Sequence, residues 1–165
     1  MIRKPPAGNR NLKILLGATL AVAVILTLIL LFVPEKKGRS AELPGTLLYT
    51  DGESKVCTLN LQGTISTYAF HKDESVFKGT LQVDGQEVGE VHLTFDGEYY
   101  TAGTDDAIPA VMTDDLEIIA QVQLDGRDCL VLAPAPDEEF AQSLLARFLS
   151  TCAYARRQGW GTYQN

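Results

Sequence analysis

The chain has 165 residues, of which 45% are hydrophobic and 21% charged, and its formal net charge is −7. That length suits about one domain. From Ser40 onward, 20 Asp and Glu stand against 7 Lys and Arg. Such an acidic body repels phosphate backbones, so the composition excludes DNA and RNA as partners.

The first element is an apolar run from Ile14 to Val33, which is 20 residues long and carries no charge. A helix of that length is about 30 Å long, close to the thickness of the hydrocarbon core of a bilayer. The run exceeds the apolar stretch of ordinary signal peptides and lacks a convincing cleavage site. The sequence therefore predicts a transmembrane signal-anchor helix over 14–33, with the lipid bilayer as its partner.

Basic residues flank this predicted helix unequally. Four precede it in a short tail of residues 1–13, and three follow it: Arg3, Lys4, Arg10 and Lys13, then Lys36, Lys37 and Arg39. The positive-inside rule then favours a cytoplasmic tail and an extracytoplasmic C-terminal domain, in a single-pass protein of the cell membrane. Residues 34–44 are expected to be a polar linker, and residues 45–165 the acidic domain.

Regular turn signals organise the acidic domain. Asp-Gly pairs, Gln62-Gly63 and polar clusters recur every 9–12 residues, with turn starts at 51, 62, 73, 84, 96, 105, 114 and 125. Asp-Gly tolerates the positive φ angles of tight hairpins. Between the turns, apolar and polar residues alternate, as in strands. The pattern predicts an antiparallel up-and-down β-meander of about seven or eight strands, either a closed barrel or a strongly curled sheet.

Two hairpins can be placed in register. A turn at 84–85 sets Leu81 opposite Val88, but the apolar alternation then loses step, which predicts a β-bulge around Gly89. A two-residue turn at 125–126 sets Val122 beside Cys129.

A helix is predicted over 137–158. Asp137 is a suitable N-cap, and Gly159 is suited to end the helix. Apolar residues recur along one face: Phe140, Leu144, Leu145, Phe148, Leu149 and Cys152. The aromatic residues Trp160 and Tyr163 are expected to fold back over one end of the sheet. The fold class is thus mainly β (α+β), with one C-terminal helix packed on the sheet.

Residues with potential for chemistry are few. The two histidines, His71 and His92, are too few for a histidine metal cluster, and His92 falls on the polar face of its strand. The pairs at 105–106 and 114–115 have carboxylates that suit Ca²⁺, but Thr-Asp-Asp is equally good turn chemistry, which we favour. Cys57, Cys129 and Cys152 are an odd number without zinc spacing, so one disulfide and three buried thiols both stay open. No cofactor or metal is predicted.

The segment Leu149-Ser150-Thr151-Cys152 resembles the end of the Thr-Leu-x-Thr-Cys signature of sortases, which are membrane-anchored cysteine transpeptidases. The resemblance implies Cys152 as the nucleophile, His92 as its acid or base, and Arg156 (or Arg157) as the oxyanion support. The sequence departs from that family because Phe148 replaces the first threonine and because the signature lies in a helical pattern.

The leading functional hypothesis is a non-enzymatic, membrane-anchored binding or structural domain with an unidentified protein or small-ligand partner. The sortase-like transpeptidase is one alternative. The other is a carrier of a small apolar ligand, because the layout resembles that of lipocalin-like barrels. A carrier requires an interior cavity of several hundred Å³.

Overall fold

The structure is a computed structural model that describes residues 8–68, 71–103, 106 and 108–164. Its first element is the helix α1, Gly8–Phe32, which confirms a helix over most of the predicted 14–33 segment. Most of the large apolar side chains described along α1 are 47% to 71% exposed, and Leu31 is half-buried. A search of the described residues for a helix long and apolar enough to cross a membrane finds none. The transmembrane assignment therefore stays a proposal.

The remaining elements are eight strands, two further helices and two short 3-10 turns. The strands are β1 Glu35–Tyr49, β2 Ser54–Thr67, β3 Val76–Val83, β4 Gln86–Phe95, β5 Tyr100–Ala102, β6 Ala110–Met112, β7 Ile118–Leu124 and β8 Arg127–Ala133. The helices are α2 Glu138–Thr151 and α3 Ala153–Arg157, and the 3-10 turns are Lys72–Glu74 and Trp160–Tyr163.

The eight strands form a closed antiparallel barrel in sequence order. Each strand pairs with the next, and β8 returns to β1 over Thr46–Tyr49. The predicted up-and-down meander is confirmed, and of the two forms left open it is the closed barrel. Closure satisfies the backbone groups of strands that would otherwise be sheet edges.

The predicted hairpin details are also confirmed. Leu81 pairs with Gly89 but Gln82 pairs with Glu87, so Val88 is the extra residue of a β-bulge. The bulge corrects the side-chain alternation beyond it. Val122 pairs with Cys129 across the turn at 125–126, as expected.

Two expectations about strand boundaries were wrong. Gln62 and Gly63, which were expected to form a turn, lie inside β2. The Phe77 ring packs over Gly63 and leaves no room for a side chain there. The glycine therefore serves close packing and not a reversal. The segment 34–44, expected as a linker, belongs to β1 from Glu35 onward and pairs with β2 along its length. The predicted turn start at Asp105 lies outside the described residues.

Side chains at every second position of the strands fill the barrel. Register places the same face of every strand inward, and the largest inward residues are 0–3% exposed: Leu47, Leu59, Leu61, Phe77, Leu81, Val91, Leu93, Met112, Ile118 and Val131. Interior positions of small barrels are commonly filled in this way. The lumen is thus the principal core of the domain.

A second apolar layer lies outside one part of the barrel. Apolar outward residues of β6, β7, β8 and the end of β1 are also 0–2% exposed: Leu48, Val111, Ile119, Leu130 and Leu132. Helix α2 packs on β1 and β8, and the indole of Trp160 donates a hydrogen bond of 3.0 Å to Gln121 on β7. We call this side the covered wall, and the side formed by β3 and β4 the open wall.

The C-terminal helix differs from its prediction in one respect. Asp137 is the N-cap and accepts a hydrogen bond from the Phe140 N–H, as expected. However, the helix predicted as continuous over 137–158 breaks at Cys152, whose φ of −95° and ψ of 116° are extended. The break turns α3 so that Tyr154 meets Trp160 edge to face, with ring centroids 5.9 Å apart. Both aromatic residues of the tail are buried, on the outer face of the covered wall.

Candidate binding site

The structure does not join the three residues that the sortase resemblance named. Cys152 is 2% exposed at the junction of α2 and α3, and its N–H donates to the Phe148 carbonyl. His92 lies on the outer face of β4, with Nδ1 3.6 Å from an Asp106 carboxylate oxygen. Arg156 donates to two carbonyls at the end of α2, at 2.8 and 3.2 Å. Within the described residues no hydrogen bond or ion pair links His92 to Cys152.

The three thiols are free and buried. Burial raises the pKa of Cys57 to about 11, and the charge of Asp84 acts in the same direction. Burial likewise raises the pKa of Cys129 to about 11, with a further contribution from Asp128. A reactive thiol needs the opposite shift, because the thiolate is the nucleophile. Cys57 and Cys129 therefore behave as small hydrophobic side chains of the lumen.

The lumen offers little room for a ligand. A cleft of about 110 Å³ opens at the end of the barrel near Asp84 and Asp125, and its lining includes the buried side chains of Leu47 and Leu124. A carrier of a small apolar ligand requires several hundred Å³ enclosed by apolar side chains. The geometry does not favour the carrier hypothesis.

Carboxylates do not gather into a metal site within the part of the chain that the structure describes. Asp106 accepts a hydrogen bond from the Gly103 N–H and faces His92, while Asp105 lies outside the described residues. Asp114 and Asp115 lie in the turn that follows β6, as the turn interpretation predicts.

The most distinctive surface feature is a groove beside α2, which we call the α2 groove. It has a volume of about 360 Å³, and its lining residues are Glu117, Pro134, Pro136, Phe140, Ser143, Leu144 and Arg147. Pro134 and Pro136 belong to the segment that stops β8 and leads into α2. Both prolines line the groove together with Phe140 and Leu144 of α2.

Phe140 is the exposed anchor of this groove. Its predicted position was on the buried helix face, but the side chain is 60% exposed, whereas Leu144 one turn later is 7% exposed. The buried face of α2 consists of Ala141, Leu144, Leu145 and Phe148, and Phe140 lies at its margin. A large aromatic side chain left in water next to two prolines is typical of a contact surface and not of a core.

An ion pair closes one side of the α2 groove. The Arg147 guanidinium lies 2.5 Å from a Glu117 carboxylate oxygen, and the same two side chains border a smaller cleft of about 160 Å³. In that cleft the Tyr99 hydroxyl donates to Thr151, at 2.7 Å. The two clefts share the Glu117–Arg147 ion pair as a border, with Phe140 and Leu144 lining the first and Tyr99 and Thr151 lining the second. The arrangement suits a short peptide segment that buries one apolar side chain and hydrogen-bonds through its backbone.

The sequence contained only an indirect signal for this groove. Pro134 and Pro136 marked the end of the strands, and Phe140 began the apolar row, but nothing local shows that Phe140 lies at the margin of the buried helix face. Comparison with models of protein families, with curated proteins and with solved structures finds no match for the chain.

Proposed function

We propose that the protein is a non-enzymatic binding domain, held at the cell membrane by the segment 14–33, that receives an apolar side chain of a protein partner in the α2 groove. Its tail 1–13 is cytoplasmic and its barrel extracytoplasmic in this proposal. The observation that carries the binding function is the exposure of Phe140 beside Pro134 and Pro136.

The tether is supported by the character of α1. No residue between Ile14 and Val33 is charged, and most of the described large apolar side chains of the helix are exposed. Thr19 and Thr27 donate their hydroxyl groups to carbonyls one turn back, so their polar atoms are satisfied within the helix. An exposed apolar surface of this extent requires an apolar environment, for which a bilayer is the simplest source.

The tether is tested by membrane extraction. We expect the full chain to stay in the sedimented vesicle fraction after alkaline carbonate washing, and a chain that begins at Pro34, just before β1, to be released. Retention of both chains, or release of both, would overturn the membrane tether. Neither result would contradict the binding proposal for the α2 groove. A cysteine-free chain with single cysteines placed before Ile14 and after the barrel, labelled by an impermeant thiol reagent, tests the orientation.

The groove is tested by site-specific photo-cross-linking. A photoreactive residue at Ser143 is expected to give a discrete adduct in cells, and the adduct is expected to disappear when Phe140→Ser is added. The matched control places the same residue at Glu87, which is exposed on β4 and outside the groove. Equal adducts from both positions, or an adduct that persists with Phe140→Ser, would contradict the groove as the binding site.

Cys152→Ala separates this proposal from the transpeptidase alternative. Loss of a buried sulfur is expected to lower the free energy of unfolding by about 1–2 kcal/mol and to leave groove cross-linking unchanged. A transpeptidase would instead form a covalent adduct with a thiol-directed substrate analogue, and Cys152→Ala would abolish that adduct. Such an adduct on the folded protein would overturn the non-enzymatic proposal.

A further inference from the structure

The barrel closes over only part of its first strand. β1 pairs with β2 from Glu35 to Leu48, but with β8 only from Thr46 to Tyr49. One more backbone hydrogen bond, from the Ala135 N–H to the Pro44 carbonyl at 2.8 Å, extends the β8 side. Within the described residues, the other edge of β1 has no strand partner before Pro44. An unpaired strand edge is a template for pairing with another chain.

The free backbone groups on this edge can be identified. In a strand, the N–H and C=O of one residue point to the same side, and consecutive residues alternate. The Pro44 carbonyl points to the β8 side, so the residues that present both groups to the free edge are Lys36, Gly38, Ser40 and Glu42. All four are exposed. The edge thus offers a regular ladder of donors and acceptors to an extended segment.

The residues between these four include two basic side chains that lie on the inward face, at the mouth of the barrel. Lys37 and Arg39 share the inward alternation of β1, and Arg39 is half-buried. The Arg39 Nε is buried and has no hydrogen-bond partner. Burial raises the pKa of Tyr100, Asp114 raises it further and Arg39 lowers it, so the guanidinium acts across the mouth on the opposite strand β5. A buried guanidinium N–H without an acceptor costs stability until an acceptor reaches it.

We propose that the free edge of β1 from Lys36 to Glu42 binds an extended acidic segment of another protein, which adds as a strand and directs alternate carboxylates at Lys37 and Arg39. Side chains of an added strand lie on the same face as the residues opposite them, so a carboxylate opposite Arg39 accepts from the orphaned Nε–H. Lysines on an edge discourage pairing with neutral or basic strands, and that selectivity favours an acidic partner. A second copy would set like charges against each other.

The test measures binding of a defined peptide to the full chain in neutral detergent micelles. The probe is a short, blocked, fluorescently labelled peptide in which Glu alternates with Thr, and its control has Gln in place of every Glu. We expect saturable binding of the Glu peptide in fluorescence anisotropy, at least about tenfold tighter than that of the Gln peptide and weaker at higher salt. The absence of saturable binding, or equal affinity for the two peptides, would overturn the proposal.

Two matched variants locate the site. Ser40→Pro removes an N–H from the free edge without removing a hydrogen bond to β2, whereas Ser40→Ala keeps that N–H. We expect Ser40→Pro to weaken binding by about fivefold or more and Ser40→Ala to leave it unchanged, both with near wild-type melting temperatures. Arg39→Gln is expected to weaken binding of the Glu peptide and to leave binding of the Gln peptide unchanged. Phe140→Ser changes the α2 groove alone and is expected to leave peptide binding intact. If Ser40→Pro binds the Glu peptide with unchanged affinity, the acidic-strand proposal is wrong. It is also wrong if the full chain associates with itself and excludes the peptide, and Ser40→Pro abolishes that self-association.

Discussion

The covered wall and the open wall of the barrel use the same strand geometry with different burial. On the open wall, Val91 and Leu93 are 0–1% exposed, while their neighbours Glu90 and His92 face water. On the covered wall, every residue of β8 from Cys129 to Ala133 is 0% exposed. The strands differ because α2, α3 and the Trp160 turn shield the outer face of β8. Alternation of apolar and polar residues therefore indicates that one face of a strand contacts water. A strand that is covered on both faces, such as β8, lacks the alternation.

The largest expected effect comes from removing the shield. Trp160 is 0% exposed and links the tail to Gln121, so Trp160→Ala is expected to lower the free energy of unfolding by about 3–5 kcal/mol. Urea unfolding followed by far-UV circular dichroism measures the loss. Tryptophan fluorescence cannot serve, because Trp160 is the only tryptophan and the variant lacks it. Glu90→Ala on the open wall is the control, with an expected change within about 0.5 kcal/mol. A small loss for Trp160→Ala would show that the covered wall is stable without its cover.

The second effect asks whether the lumen is equally dry on its β2 side and its β8 side. Cys57 lies on β2 and Cys129 on β8, yet burial raises the pKa of each to about 11. A folded-state pKa above the unfolded value gives stability that is present below pH 9 and is lost as the pH rises toward 11. The loss is about 3 kcal/mol per thiol at most. Unfolding free energies between pH 8 and pH 11 measure it, and Cys57→Ala and Cys129→Ala are expected to remove equal shares. An unequal share would mean that water reaches one side of the lumen.

A third effect tests close packing behind the open wall. A Cβ at Gly63 would lie 2.5 Å from the Lys78 carbonyl oxygen and from the Phe77 ring, so backbone must shift. We expect Gly63→Ala to lower the free energy of unfolding by about 2 kcal/mol. Gly38→Ala on the neighbouring strand is the matched control, because nothing lies within 4 Å of its Cβ, and no loss is expected. Equal thermal melting of the two variants would refute the packing role of Gly63.

The smallest effect concerns a polar group beneath the covered wall. Thr46 is 1% exposed, and its hydroxyl donates to the Ala135 carbonyl at 2.8 Å. Thr46→Val keeps the shape and leaves that carbonyl without its donor, for an expected loss of about 1 kcal/mol. Thr94→Val, exposed on β4 of the open wall, is the control and is expected to have no measurable effect in the same chemical denaturation. Unchanged stability for both would show that water or another group satisfies Ala135.

Local features of the sequence were sufficient for the meander. Asp-Gly pairs at 84–85 and 125–126 specify tight turns because Asp84 and Asp125 adopt φ angles of 51° and 52° before a glycine. Once a turn is fixed, pairing follows, and so does the bulge at Val88, since only one register keeps the apolar residues together. The N-cap at Asp137 and the left-handed Gly159 are equally local.

The tertiary structure alone decided which residues share a site. Gly63 resembled a turn residue, because a sequence cannot show that the Phe77 ring crosses it. Phe140 fitted the apolar row of α2, but its exposure depends on which face of the helix is buried in the folded chain. The free edge of β1 exists because β8 ends before β1 does, and strand length relative to a distant partner is not encoded in any local pattern. Short-range sequence thus determined turns, caps and alternation, which are backbone properties, whereas contacts between distant segments determined the groove, the edge and the burial of each thiol.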